Sequence, residues 1–246
     1  MALALTFTAG FVDIVGLLTI YRLFTAHMTG TTVHLGEQLI RRNWSAASVA
    51  ASIVAAFFVG SVIGRIIIEA GSRAKFRRVA SVTLLAEWLL LISVAWWGSD
   101  ALKHGLLQQG VLAVVCPLVA MLALAMGLQT ATLTRIGPLT IHTTFVTGML
   151  NKLAQLTSRW IFLVHDINFH VSSREVERRE QKSVIAREGR FLFAIWCLYF
   201  AGAACGTWFA LHWQLRSLFL PSLIVLLVIL VDEARPLSLE EEQEQP

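Results

Sequence analysis

TAHMTGTTVHL at residues 25–35 returns as TTFVTGMLNKL at residues 143–153, with Thr-x-x-x-Thr-Gly and a later Leu in the same places. Upstream of each Thr-Gly stands a second matched station, Gly-Phe-Val-Asp at 10–13 against Gly-Leu-Gln-Thr at 127–130. Downstream, Phe57-Phe58-Val59-Gly60 with Gly64 matches Tyr199-Phe200-Ala201-Gly202 with Gly206. Three stations recurring in one order point to a duplicated unit. In an apolar chain, duplication is a common architecture of membrane transporters.

The chain is apolar enough for that reading. Hydrophobic residues make up 56% and charged residues 15% of the 246, and the mean hydropathy is +0.67. A soluble domain needs far more polar surface. Continuous apolar runs of about twenty residues fall at 3–24, 46–69, 79–98, 108–133, 190–212 and 215–231. The first lacks a basic leader and is too long for a cleaved signal peptide, so it is expected to stay as a span. Continuous rather than alternating apolarity argues against a β-barrel. The three cysteines, Cys116, Cys197 and Cys205, lie within spans and offer no disulfide framework.

Three spans per unit force the second copy to enter the membrane from the opposite side, giving an inverted repeat. The expected fold is therefore an all-α membrane protein of six transmembrane helices in two inverted three-helix repeats. Residues 1–98 form the first repeat. Residues 99–232 form the second, with a charged cytoplasmic segment at 166–190, and a disordered acidic tail follows at 233–246. Each repeat also carries a short Thr-Gly helix, at 27–41 and at 141–159, either re-entrant or interfacial. A version with both short helices crossing would hold four spans per unit and make the repeat parallel.

The basic residues orient the spans. With the N-terminus in the cytoplasm, Arg65, Arg73, Lys75, Arg77 and Arg78 fall inside, as do nine between spans four and five and Arg235. Only Arg22, Arg41, Arg42, Lys103 and Arg216 of the 20 Lys and Arg fall outside. This asymmetry predicts both termini in the cytoplasm. It also accounts for a pI near 9.3 without nucleic acid, which is not an expected partner; the bilayer is. Trp44, Trp96, Trp97, Trp160 and Trp213 sit near expected span ends, as an aromatic belt does.

Polar residues inside spans are costly and need an account. Asp13 is central in span one, Glu87 in span three, and Gln129 and Thr130 lie on span four with Arg135 just beyond. His27, Thr29 and Gly30 belong to the first Thr-Gly segment, and Thr147 and Gly148 to the second. These ten are the candidate substrate- or ion-binding residues. Asp13 and Glu87 read either as carboxylates lining a wet cavity or as buried structural partners. Gly30 and Gly148 read either as close-contact residues or as breaks exposing backbone dipoles to a substrate. The pairs Gly60/Gly64 and Gly202/Gly206 read as packing seams. His27, His34 and Glu37 lack ligand spacing for a metal. No nucleotide, dinucleotide or nucleophile-elbow motif is present, so no cofactor and no catalytic residue is assigned.

GFVDIVGLL (10–18) with FTAHMTGTTVHLG (24–36), and MGLQTATLTRIG (126–137) with TTFVTGMLNKLA (143–154), resemble the YoaK-like family of bacterial multi-pass inner-membrane proteins of unknown function. The resemblance runs from about Ala9 to Thr207. It implies a compartment, the bacterial inner membrane, and a topology class, but no substrate. The family pattern carries Asn where this chain has Thr31 and Thr130; a hydroxyl also donates and accepts.

The leading functional reading is a small-molecule secondary transporter, with a proton as candidate coupling ion. A non-transporting membrane scaffold or regulatory protein is the alternative, and an intramembrane enzyme the third. Six spans are few for a transporter, which suggests a homodimer with the glycine seams as candidate interfaces. Transport requires Asp13 and the Gln129 face to line one cavity. A scaffold would seal them by direct hydrogen bonds, and an enzyme would bond two catalytic groups to each other.

Overall fold

Apolar runs of spanning length must satisfy their backbone groups internally, and the chain accordingly folds into helices. The structure, a computed structural model, describes residues 1–74, 78–132, 135–136, 139–140, 146–169 and 175–234. Its helices are α1 (Ala2–Thr19), α2 (Met28–Ile40), α3 (Trp44–Arg73), α4 (Val79–Lys103), α5 (Leu112–Thr132), α6 (Val146–Phe169), α7 (Glu175–Trp213) and α8 (Phe219–Ala234). A two-residue strand pair, β1 (Arg135–Ile136) and β2 (Leu139–Thr140), follows α5. The acidic tail from 235 onward, Lys75, Arg77, Thr134, His142 and Arg174 lie outside the described residues.

Five stretches are long and apolar enough to cross a membrane: α1, α3, α4, α5 and the run Gln181–Ala234. That last run has 54 residues and holds two of the six apolar runs read from the sequence. A 3-10 turn at Gln214–Leu218 divides it, entered through Gln214 at φ 52°. Many large apolar side chains, among them Phe58, Ile66, Phe200 and Leu211, face outward, as they do in a protein solvated by lipid. The protein is thus a helical, multi-pass membrane protein.

The first Thr-Gly helix, α2, falls within a residue of its expected bounds. At 13 residues it is about 20 Å long, short of the roughly 30 Å hydrocarbon core. The second, α6, has 24 residues and runs ten residues beyond its expected end; residues 141–145 are outside the described residues. It lies on α7 through a small cluster of Met149, Leu156, Leu192 and Ile195. Residue 175 onward belongs to the same helix as the fifth apolar run, and α7 continues unbroken from its charged half into its apolar half.

The glycine stations locate the seams. Gly202 lies against the carbonyl of Phe7, and Gly206 against Phe11 and Ile14. Gly60 lies against the carbonyl of Leu124, and Gly64 against Leu128 and Ala131. Phe7, Phe11 and Ile14 stand at the same steps from Gly10 as Leu124, Leu128 and Ala131 do from Gly127. Gly10 in turn faces the carbonyl of Tyr199, and Gly127 that of Phe57. Thus α1 packs closely on α7, and α5 on α3. A methyl at Gly10, Gly60, Gly127 or Gly202 would strike main chain. Both glycine seams are filled within one chain.

Contacts along the equivalent helices give their directions. Leu5 of α1 meets Gln129 of α5, while Gly16, further along α1, meets Leu122, further back along α5. The two helices run antiparallel. So do α4 and α8, where Ser81 meets Asp232 and Gly98 meets Leu215 just before α8.

Candidate functional site

Asp13 is 1% exposed and sits mid-way along α1. An isolated carboxylate there would be very costly, and the fold answers with donors. Its Oδ1 accepts from the backbone N–H of Thr25 at 2.7 Å and of Ala26 at 2.9 Å, and from Thr25 Oγ1 at 3.2 Å. Its Oδ2 accepts from the Tyr199 hydroxyl at 2.9 Å and lies 2.6 Å from His27 Nδ1. Four residues thus converge on one carboxylate. Three come from the segment between α1 and α2, and the fourth from α7.

The local chain explains how this arises. After Thr19 the backbone leaves helical geometry and folds back along α1, so Thr25 and Ala26 present consecutive N–H groups to Asp13. Such groups have no intrahelical partner just ahead of a helix. His27 then caps α2, with its ring against Phe24 at 4.8 Å and edge-on to Tyr199 at 6.1 Å. The hydrogen bond to Asp13 raises the His27 imidazole above its ordinary range, partial burial opposes this, and the Asp13 charge adds to the rise. The His27 side chain keeps 37% exposure.

The other sequence-predicted residues are not gathered at this centre. Gln129 is fully buried and donates through Nε2 to the Leu5 carbonyl at 2.7 Å; its Oε1 has no partner among the described residues. Thr130 donates back to Met126 O at 2.7 Å. Glu87 is fully buried in α4, and neither carboxyl oxygen has a partner among the described residues. Thr29 and Gly30 are exposed in the first turn of α2, and nothing lies within 4 Å of where a Gly30 side chain would begin. Thr147 and Gly148 occupy the first turn of α6, with helical backbone running through them. Arg135 lies in β1, paired with Thr140.

Three members of the centre, Thr25, Ala26 and Tyr199, were not among the sequence candidates. Thr25 opens the first Thr-x-x-x-Thr-Gly, and Tyr199 stands where the other unit has Phe57. A hydroxyl replacing a phenyl hydrogen at a matched station was the signal available. The matching seam between α3 and α5 pairs Phe57 with the Thr130 helix, so the two seams share packing but not charge.

Chemically, every contact to Asp13 comes from a group able to donate. The Asp13–His27 pair leaves Nε2 of the imidazole unengaged, as in a general base. No hydroxyl or thiol among the described residues bonds to that nitrogen, and the Thr25 and Tyr199 hydroxyls are turned to the carboxylate. No group of three His, Cys, Asp or Glu among the described residues is placed to hold a metal. Two cavities lie elsewhere, one between the ends of α4 and α7 and one along α6.

No curated protein matches the chain, and no solved structure does. A family model described as a protein of unknown function, DUF1275, matches residues 1–231. With nearly the whole chain matched, the protein belongs to the DUF1275 family.

Proposed function

We propose that the protein is a secondary transporter of a small molecule in the bacterial inner membrane, with six spans in two inverted units and both termini in the cytoplasm. The antiparallel courses of α1 and α5, and of α4 and α8, support the inverted relation. Equivalent helices of a four-span parallel repeat would run the same way. In this reading the Asp13–His27–Tyr199 cluster is a latch that holds one state closed.

The observation that carries the reading is that one buried carboxylate bonds at once to its own unit's connecting segment and to α7 of the other unit. A bond of that kind can be broken and remade when a proton reaches it. His27 supplies the access. Loss of the Tyr199 bond would free α7 to move against α1, and rocking of one unit on the other is how inverted-repeat transporters alternate.

The substrate need not be identified before the test is run. Proteoliposomes with and without the chain are exposed to a small-molecule extract under an inward proton gradient, and enclosed solutes are identified by mass spectrometry. A solute enriched only with the chain, and lost when the gradient is collapsed, is the expected result. Contents identical to protein-free vesicles under gradients of either direction would overturn the reading.

The scaffold reading has its own support. Asp13 and Gln129 are closed by direct hydrogen bonds and line neither described cavity. It predicts that the latch never opens, so a cysteine placed at Thr25 would stay unlabelled at every pH.

A further inference from the structure

The cavity between the C-terminal ends of α4 and α7 has a volume of about 330 Å³ and is lined by three basic side chains, Lys103, His212 and Arg216. We propose that it is a binding site for a small organic anion, one carrying a phosphate or carboxylate group beside a compact apolar part. The site stands whether or not the protein transports.

Charge comes first. No described carboxylate pairs with Lys103 or Arg216, and no acidic residue lines the cavity. The nearest acid in sequence, Asp100, faces His104 at 3.7 Å. His212 donates through Nδ1 to its own helix carbonyl, Trp208 O, at 2.7 Å, which leaves Nε2 for the cavity. Two helix C-termini end here, and their dipoles favour cations at this place. They do not need two fixed cations, Lys103 and Arg216, meeting at one hollow beside an imidazole with no carboxylate between.

Polar donors come second. Gln108, Gln214 and Ser99 also line the cavity, and the Ser99 hydroxyl is buried without a partner among the described residues. A buried hydroxyl normally finds one. Trp213 and Leu102 supply the apolar wall. The volume lies within the range of small-molecule sites.

Backbone geometry is the third observation. Gln214 takes φ 52°, a left-handed conformation that a non-glycine residue adopts only when its surroundings hold it there. That turn brings Gln214 and Arg216 into the cavity lining. On the proposed topology this is the outer face, where Lys and Arg are scarce, and two of the five assigned there line this one hollow.

The anionic group has two sources, a lipid headgroup or a soluble metabolite. Purified chain in neutral detergent is titrated with dihexanoyl phosphatidylglycerol, with glycerol phosphate, and with dihexanoyl phosphatidylcholine as the zwitterionic control, reading tryptophan fluorescence and melting temperature. Saturable binding of either anion, weakened on the order of tenfold in Lys103→Gln/Arg216→Gln, supports the site. The lipid alone would mark a headgroup site, and glycerol phosphate alone a metabolite site. Arg216→Gln alone serves if the double variant melts early. Equal response to the zwitterion, or affinity unchanged in the variants, would overturn the proposal.

Discussion

Tyr199 reaches across the seam between α7 and α1 to donate its hydroxyl to Asp13 Oδ2 at 2.9 Å. The same helix turn presents its carbonyl to Gly10. A close backbone approach and a charge-assisted bond thus fasten the two helices at one level. The glycine permits the approach, and the approach sets the length of the bond.

Asp13→Ala should be strongly destabilising. Thr25 N, Ala26 N, Thr25 Oγ1, His27 and Tyr199 would lose their common acceptor, at a cost of about 3–5 kcal/mol. Asp13→Asn should also destabilise, since its NH2 group must face donors on one side. Denaturant unfolding in detergent measures both. A fully stable Asp13→Asn would show that the network contributes little.

Tyr199→Phe removes a single bond and keeps the ring. The expected cost is about 1 kcal/mol, in line with interhelical bonds in membranes. A double-mutant cycle with Asp13→Asn should show coupling. Additive effects would mean that the hydroxyl acts independently of the carboxylate.

Glycine substitutions separate the seams from the Thr-Gly signature. Gly202→Ala and Gly60→Ala place a methyl on backbone carbonyls and should each cost about 1–3 kcal/mol. Gly30→Ala meets open space in a helix and should be neutral or stabilising by up to about 1 kcal/mol. Melting temperatures of the three variants would rank them, and a reversed order would contradict the seam geometry.

His27 links stability to pH. Its imidazole is raised above the ordinary 6.5 by the bond to Asp13, so the folded state holds that proton more tightly than the unfolded state. The contribution is fully present below the unfolded value and fades as pH rises through the raised folded value. Melting temperature should therefore fall across that window in the wild type, and the fall should be shallower in His27→Gln. Parallel curves would remove His27 from the latch.

Topology is open to direct chemistry. In a chain stripped of Cys116, Cys197 and Cys205, cysteines placed at Ser72 and Ser183 should react only with reagent on the cytoplasmic side. Labelling of either from outside would break the inverted arrangement.

Helix type and membrane residence were legible in the apolar runs alone, because a bilayer admits only helices and closed barrels and the runs are continuous rather than alternating. Of the repeated glycines, Gly10 and Gly127, and Gly60 and Gly202, stand where backbones touch, whereas Gly30 of the Thr-Gly station meets open space, so repetition marked the seams without separating them from the Thr-Gly signature. Asp13 was legible as a costly residue for the same kind of reason: a charge at that depth needs partners.

Which partners it finds was decided by tertiary structure. Thr25 and Ala26 serve Asp13 because the chain turns back after Thr19, and Tyr199 serves it because α7 crosses α1 at Gly10 and Gly202; neither fact is local. The same limit hid the intrachain use of Gly60, since a small-residue seam looks alike whether the facing helix belongs to the same chain or to another. It also hid the hollow of Lys103 and Arg216, far apart in sequence and joined only where α4 and α7 end together. Residue type sets what each side chain costs in a given solvent, and folding decides which neighbour offsets that cost.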